Sequence, residues 1–140
     1  MRLYLDTNIL VFLLLERRRL SAETVSLLSD CCNALLTSSA CVQELIYLCQ
    51  AGRITRGKRE RDALRAEDVL CKLAELGVRI VPVDERHLRR LSELPLLKEH
   101  HDPNDRIIIA QAIEDRTALV SSDHKFAEYE GCGLDFIFND

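Results

Sequence analysis

The 140-residue chain lacks a CxxC pair, an excess of positive charge and any apolar run of membrane-spanning length, and each absence removes a class of function. Its six cysteines (Cys31, Cys32, Cys41, Cys49, Cys71, Cys132) do not have the paired spacing of a zinc ribbon or a redox motif. Most fall in helical apolar patterns, so they read as small buried hydrophobes in a reducing compartment, and neither disulfides nor zinc are expected. A formal net charge of −4 and a pI near 5.6 exclude a generic basic nucleic-acid coat. Any nucleic-acid enzyme built on this chain has to concentrate its positive charge locally. The start of the chain, Met1 to Leu15, is apolar, but Asp6 and Asn8 interrupt it and no small-residue cleavage site follows, so no signal peptide is expected. With no membrane span either, a cytoplasmic protein is expected. Repeats and low-complexity segments are also missing.

What is present is 47% hydrophobic and 30% charged residues, enough for one globular domain over 1–140 with a genuine core. The pattern predicts strands at Leu3–Asp6, Ala34–Thr37, Val78–Val83, Ala118–Ser121 and Leu134–Phe138. Between them it predicts helices at Asn8–Leu15, Ser21–Cys31, Ala40–Ala51, Arg61–Leu76, Asp84–Leu94 and Pro103–Asp115, with a short one at His124–Glu130. A basic connector covers 53–60 and a loop covers Pro95–His101. The Asn8–Leu15 helix is so apolar that it needs cover on nearly all sides, some of it from a partner. Strands apolar on both faces, alternating with helices, imply a parallel sheet between helix layers, a three-layer α/β/α fold. Ligands of such folds bind beyond the carboxyl ends of the strands, where Asp6 and Asp123 both fall.

Four acids carry the chemistry. Read alone, Asp6 is best explained as the N-cap of the following helix, and Asp123 has the same ambiguity. Asp102, Pro103, Asn104 and Asp105 make a good helix start, with Asp102 as N-cap and Asp105 at the third position, favoured by the helix dipole. Yet Asp105 shares a helical row with Ile109 and Ala112, at the head of a buried stripe. Glu44 repeats the oddity, since its neighbours three and four positions away are Ala40, Cys41, Tyr47 and Leu48. A carboxylate on an apolar face is costly unless a cation or metal pairs with it, so a functional reading is favoured for Glu44.

The segments LYLDTNIL, CVQELIYL, HDPNDRIIIAQAI and LVSSDHKF resemble the four acidic motifs of the PIN-domain nucleases, in the correct order across the whole chain, with a close likeness to toxins of the virulence-associated protein C (VapC) type. The resemblance implies a PIN-like fold with a five-stranded parallel sheet, an RNA substrate, a homodimer and a small antitoxin partner. By position it makes Asp6, Glu44, Asp105 and Asp123 the metal-binding catalytic acids, supported by Thr7, Asn8, Asp102 and Ser122. Two departures are small: Asn104 stands where an apolar or aromatic residue is common, and Ser122 where threonine or asparagine is common.

No histidine or cysteine has a ligand-like spacing to the four acids, so the donors are hard oxygens that select Mg²⁺ or Mn²⁺. The expected reaction is in-line attack of water on the scissile phosphorus, with the cation stabilising developing charge. Asp6 and Asp105 are the expected principal ligands, and the resemblance implies 5′-phosphate and 3′-hydroxyl products. Arg53, Arg56, Lys58, Arg59, Arg61 and Arg65, against Glu60 and Asp62, form a candidate phosphate track, equally readable as a solvated helix start. Arg86, Arg89 and Arg90 are a weaker second patch, and Arg106 is either a phosphate contact or a surface ion partner. His100 and His101 read as solvated loop residues. Candidate antitoxin surfaces are the Ile9–Leu15 and Leu20–Leu28 helices, with core burial the favoured use of both.

Competing readings are weaker. A dehalogenase-type phosphatase needs DxD where Asp6 and Asn8 stand, and a receiver domain needs acids and a lysine that are not placed here. A PIN-like scaffold that binds RNA or protein without cutting is opposed by intact acids at all four positions. Within the nuclease reading, housekeeping RNA processing competes with the toxin role.

Overall fold

Leu3, Tyr4 and Leu5 are all buried, as are all four residues of Ala118–Ser121, so these two strands need cover on both faces. The computed structural model, which describes residues 1–54 and 64–140, gives them that cover in a five-stranded parallel sheet of an α/β/α fold. Strands β1 (Arg2–Leu5), β2 (Ala34–Ser38), β3 (Arg79–Val81), β4 (Ala118–Ser121) and β5 (Phe136–Phe138) lie in the order β3-β2-β1-β4-β5. The chain first winds outward from β1 through β2 to β3, then returns to place β4 on the other side of β1. That reversal leaves a crevice beyond the carboxyl ends of β1 and β4. The register is Leu3 with Ala118, Tyr4 with Leu119 and Leu5 with Val120, which sets Asp6 beside Ser121.

The helices are α1 (Thr7–Leu15), α2 (Ala22–Ser29), α3 (Ser39–Gln50), α4 (Val69–Glu75), α5 (Glu85–Glu93) and α6 (Pro103–Glu114). Short 3₁₀ turns cover Arg17–Arg19, Ala66–Asp68 and His124–Cys132. Asp6 and Asp102 cap their helices as expected, and Ser21, Ser38 and Asp84 do the same, each accepting a hydrogen bond from the first turn of the next helix. Helix α1 buries Ile9, Leu10 and Phe12, while Val11, Leu13, Leu14 and Leu15 stay half-buried. Helix α2 buries only Thr24 and leaves Val25 exposed. Among the described residues no helix is long and apolar enough to cross a membrane.

Several expectations shift. Of the helix expected over Arg61–Leu76, 61–63 lie outside the described residues; Leu64 is buried and Arg65 extended, a 3₁₀ turn covers Ala66–Asp68, and the α-helix runs over Val69–Glu75. Strand β3 stops at Val81, since Pro82 has no N–H to offer and the Val83 N–H donates to Ser39 Oγ at 3.0 Å. Strand β5 starts two residues late because the Leu134 N–H closes the preceding turn on the Tyr129 carbonyl. The cysteines are not generally buried. Only Cys41 is; Cys31 and Cys32 fall in the turn past the end of α2, and Cys71 lies on the outer side of α4 with its Sγ 3.6 Å from Glu75 Oε1.

Candidate active site at the carboxyl ends of β1 and β4

Asp6 leaves β1 and caps α1, so the capping and site readings of this residue are both realised by one side chain. Its Oδ1 accepts from the Thr7 N–H at 2.7 Å and its Oδ2 from the Ser121 hydroxyl at 2.6 Å. Only 4% of Asp6 is exposed. In the first turn of α1, the Asn8 amide spans the crevice, donating to Ser121 Oγ at 3.3 Å and accepting from the Ser122 N–H at 3.3 Å. The Thr7 hydroxyl donates to Glu44 Oε2 at 2.8 Å, which joins α3 to the same cluster.

Ser121 is a polar hub that the sequence reading missed. It donates to Asp6 and accepts from Asn8 and from the Asp123 N–H, the last at 3.1 Å. The expected hydroxyl, Ser122, does not reach an acid; it accepts from the Asn139 amide at 2.9 Å. The β1–β4 register was the missing signal, because it is what sets Ser121 opposite Asp6. Asp123 caps the following 3₁₀ turn through the Lys125 N–H at 3.0 Å.

Asp105 sits in the first turn of α6 behind the cap Asp102, whose Oδ1 accepts from the N–H groups of Asn104 and Asp105. Asp102 itself is exposed and does not line the crevice. The partner of Asp105 is His100, whose Nε2 lies 3.0 Å from Asp105 Oδ2 and whose Nδ1 lies 2.9 Å from the Tyr129 hydroxyl. His100 is 3% exposed, packed edge-on against Phe126 and Tyr129, which overturns its reading as a solvated loop residue. His101 is exposed and held by the Lys98 carbonyl. When Asp105 is ionised its carboxylate can only accept, which places the His100 proton on Nε2 and leaves Nδ1 to accept from the Tyr129 hydroxyl.

Asp6, Glu44, Asp105 and Asp123 thus line one depression of about 350 Å³, with Val11, Phe12, Leu48 and Ile54 as apolar wall. Burial pushes Asp6 up to about 7, the Asp105 and Glu44 charges adding to it and the Ser121 and Thr7 hydrogen bonds opposing it. Asp105 is pushed up to about 7 as well, by burial and then by Asp102, Asp123 and Glu44, with Lys125 opposing. Among the described residues no lysine or arginine forms an ion pair with any of the four acids, and Asp105 has the His100 imidazole as its hydrogen-bond partner. His100, Asp105 and Asp123 offer ligand atoms within 4.8 Å of one another. A crowded, oxygen-rich set whose acids are raised by burial and by one another's charge fits a hard divalent ion. The imidazole, absent from the sequence-level donor set, is engaged with Asp105 and acts as an outer partner of that carboxylate.

The expected cationic residues divide. Arg53 lines the depression, and so does Arg19, which the sequence reading did not single out. Arg56, Lys58, Arg59 and Arg61 lie outside the described residues. Arg65 pairs with Glu67 and Asp68. Arg86, Arg89 and Arg90 are no free patch, because they pair with Asp84, Glu85, Glu93 and Glu114. Arg106 does not line the depression; its Nη2 donates to the carbonyls of Leu94 (3.2 Å) and Pro95 (3.3 Å), anchoring the loop before α6.

Comparison with known proteins gives a family match to the PIN domain over residues 3–131. No curated protein matches the chain. Among solved structures, it is similar to VapBC2 from Rickettsia felis bound to a DNA fragment from its promoter, with 21% identity, a TM-score of 0.70 and full coverage of both chains. VapBC-1 from nontypeable Haemophilus influenzae shares 20% identity at a TM-score of 0.66, over 99% of this chain and 98% of that one. A toxin-antitoxin complex from Klebsiella pneumoniae shares 20% identity at 0.62, over 96% and 94%.

Proposed function

The chain belongs to the PIN-domain family, and from that premise we propose that it is a single-domain, metal-dependent endoribonuclease acting as the toxin of a toxin–antitoxin pair. The observation that carries the reading is the crowding of Asp6, Glu44, Asp105 and Asp123 in one depression, with Asp6 and Asp105 both raised to about 7. Acids held together this way are short of positive charge. Asp6, Asp105, Asp123 and Glu44 would hold Mg²⁺ or Mn²⁺, which when bound activates water and stabilises charge developing on the phosphate.

The surrounding residues do the orienting. Ser121 and the Thr7 N–H fix both oxygens of Asp6, the Thr7 hydroxyl fixes Glu44, and His100 fixes Asp105. The acids therefore face the phosphate with little left to reorganise. Arg53 stands at the same depression to meet the anionic backbone.

The toxin role is supported by the neighbours, which are VapBC assemblies and a toxin-antitoxin complex. An antitoxin helix would find apolar surface on the half-buried Val11, Leu13, Leu14 and Leu15 of α1. A homodimer and a cytoplasmic location belong to the same proposal.

The test is cleavage of a mixed single-stranded RNA pool in Mn²⁺, beside Asp6→Asn and a chelator. Cutting that falls at least about 10³-fold in both controls is expected. Full activity in Asp6→Asn would overturn the mechanism.

A further inference from the structure

A second depression, about 420 Å³, adjoins the acidic one and shares Phe12 and Arg19 with it. Its walls are the Arg17–Arg19 turn on one side and the segment from Phe138 to Asp140 on the other. The Arg19 guanidinium is stacked 4.2 Å from the centre of the Phe12 ring and pairs with Glu16 at 3.3 Å, so it is held at the junction of the two depressions. Arg18 is exposed and makes no ion pair among the described residues. Phe138, the last residue of β5, is 45% exposed, an unusual position for a phenyl ring in a chain with four phenylalanines.

The turn is fastened to the site by Asn139. This residue is 3% exposed, and its backbone N–H donates to the Ser121 carbonyl at 2.9 Å. Its side-chain amide donates to the Arg19 carbonyl at 3.0 Å and to Ser122 Oγ at 2.9 Å, while its Oδ1 accepts from the Ser21 N–H at 2.9 Å. One buried amide therefore fixes the arginine turn relative to the Ser121–Asp123 segment. Arginines placed by a buried polar residue differ from arginines scattered over a solvated face.

We propose that this second depression is a nucleotide subsite for single-stranded RNA, with Arg18 and Arg19 on a phosphate next to the scissile one and Phe138 stacked under a base. The proposal rests on the nuclease reading of the neighbouring pocket. A strand whose phosphate enters a cluster of four acids needs cations along the approach, and Arg19 stands in the wall of both depressions. Stacking on an exposed ring is tolerant of sequence, and each base so held adds severalfold to affinity. Glu16 and Asp140 offset part of the arginine charge, so the subsite combines charge with stacking and does not rely on charge alone.

The experiment measures binding of a labelled single-stranded oligoribonucleotide by fluorescence anisotropy in EDTA, over a salt series, with cleavage in Mn²⁺ measured in parallel. For Arg18→Ala/Arg19→Ala the expected result is at least about tenfold weaker binding and a salt slope smaller by about two charges. Phe138→Ala is expected to weaken binding about tenfold with the slope unchanged, and Phe138→Tyr to restore it. Unchanged affinity in the arginine and Phe138→Ala variants, alongside cleavage by the parent protein, would overturn the subsite and leave the nuclease reading standing. Neither binding nor cleavage by the parent protein would overturn both. Displacement of the RNA by poly-glutamate of equal length, at equal affinity, would identify a generic anion or acidic-protein surface and overturn the RNA assignment.

Discussion

Helix α6 carries an Asp–His–Tyr group at each end, and the two groups are wired differently. At its carboxyl end, Asp115 has both oxygens satisfied: Oδ2 accepts from the Tyr4 hydroxyl at 2.6 Å, and Oδ1 lies 3.1 Å from His87 Nε2 and 3.6 Å from Arg86. The Asp84 N–H donates to His87 Nδ1, so this imidazole is also anchored on both nitrogens. At the amino end, the tyrosine stands behind the histidine: Tyr129 meets His100, and among the described residues His100 is the one side chain that hydrogen-bonds to the Asp105 carboxylate. Around Asp105 the remaining neighbours are largely acids. An anion at a helix carboxyl end opposes the dipole and needs donors on every side; an anion at the amino end is favoured and tolerates an open one. The same three residue types therefore build a closed strut at one end of α6 and half of a charge-hungry pocket at the other.

Removing each aspartate should break the comparison most sharply. Asp105→Asn keeps the helix start but removes a pocket charge, so RNA cleavage should drop at least about 10³-fold while the melting temperature holds or rises. Asp115→Ala leaves Tyr4 and His87 unpaired in a buried setting and should destabilise the fold by about 3 kcal/mol. Cleavage per folded molecule should survive it. Thermal melts and single-turnover cleavage of both variants test this, and a stability loss confined to Asp105→Asn would reverse the assignment of the two ends.

The next effect concerns how Asp105 is held. If His100 orients the carboxylate through Nε2–H, His100→Gln, whose amide can reach the same oxygen, should keep most of the Mn²⁺ affinity, whereas His100→Ala should lower it roughly tenfold. Calorimetric titration of Mn²⁺ into each variant, without RNA, reads this directly. Equal loss in both variants would show that packing against Phe126 and Tyr129 matters and the hydrogen bond does not.

The two ends also differ in how far the sequence disclosed them. The run LYLDTN gives a strand and a cap, so the parallel sheet was legible from local patterns; of the acids only Glu44 stood out locally, because its neighbours along the helix face are apolar or small, and the grouping of all four rested on the order of the motifs they belong to. His100 was not, because it lies in a loop with no period and what buries it, Phe126 and Tyr129, arrives from a later turn of the chain. Ser121 required the β1–β4 register to distinguish it from Ser122. Asn139 and Arg19 meet across the fold through a single amide, a contact with no local signature. The Asp115–His87–Tyr4 strut joins α6, α5 and β1 and was equally hidden, since each residue reads as an ordinary cap, helix or strand position.

The smallest expected effect is a pH dependence that only the open end should show. Asp6 and Asp105 have their folded values raised from 3.8 to about 7, so between roughly pH 4 and 7 the native state binds protons that the unfolded chain has released. Their contribution to stability must then fall as pH rises through that window, complete loss being reached above pH 7. In EDTA, the melting temperature of the parent protein should decline by a few degrees more between pH 5.5 and 8 than that of Asp6→Asn/Asp105→Asn, which has no carboxyl group to ionise at either position. A divalent ion competes with those protons and relieves the same repulsion, so the stabilisation by Mn²⁺ should grow over the same interval in the parent and vanish in the double variant. Parallel melting curves for the two proteins across the pH range, with and without Mn²⁺, would mean that Asp6 and Asp105 in the open pocket are as fully compensated as Asp115 is at the far end of α6.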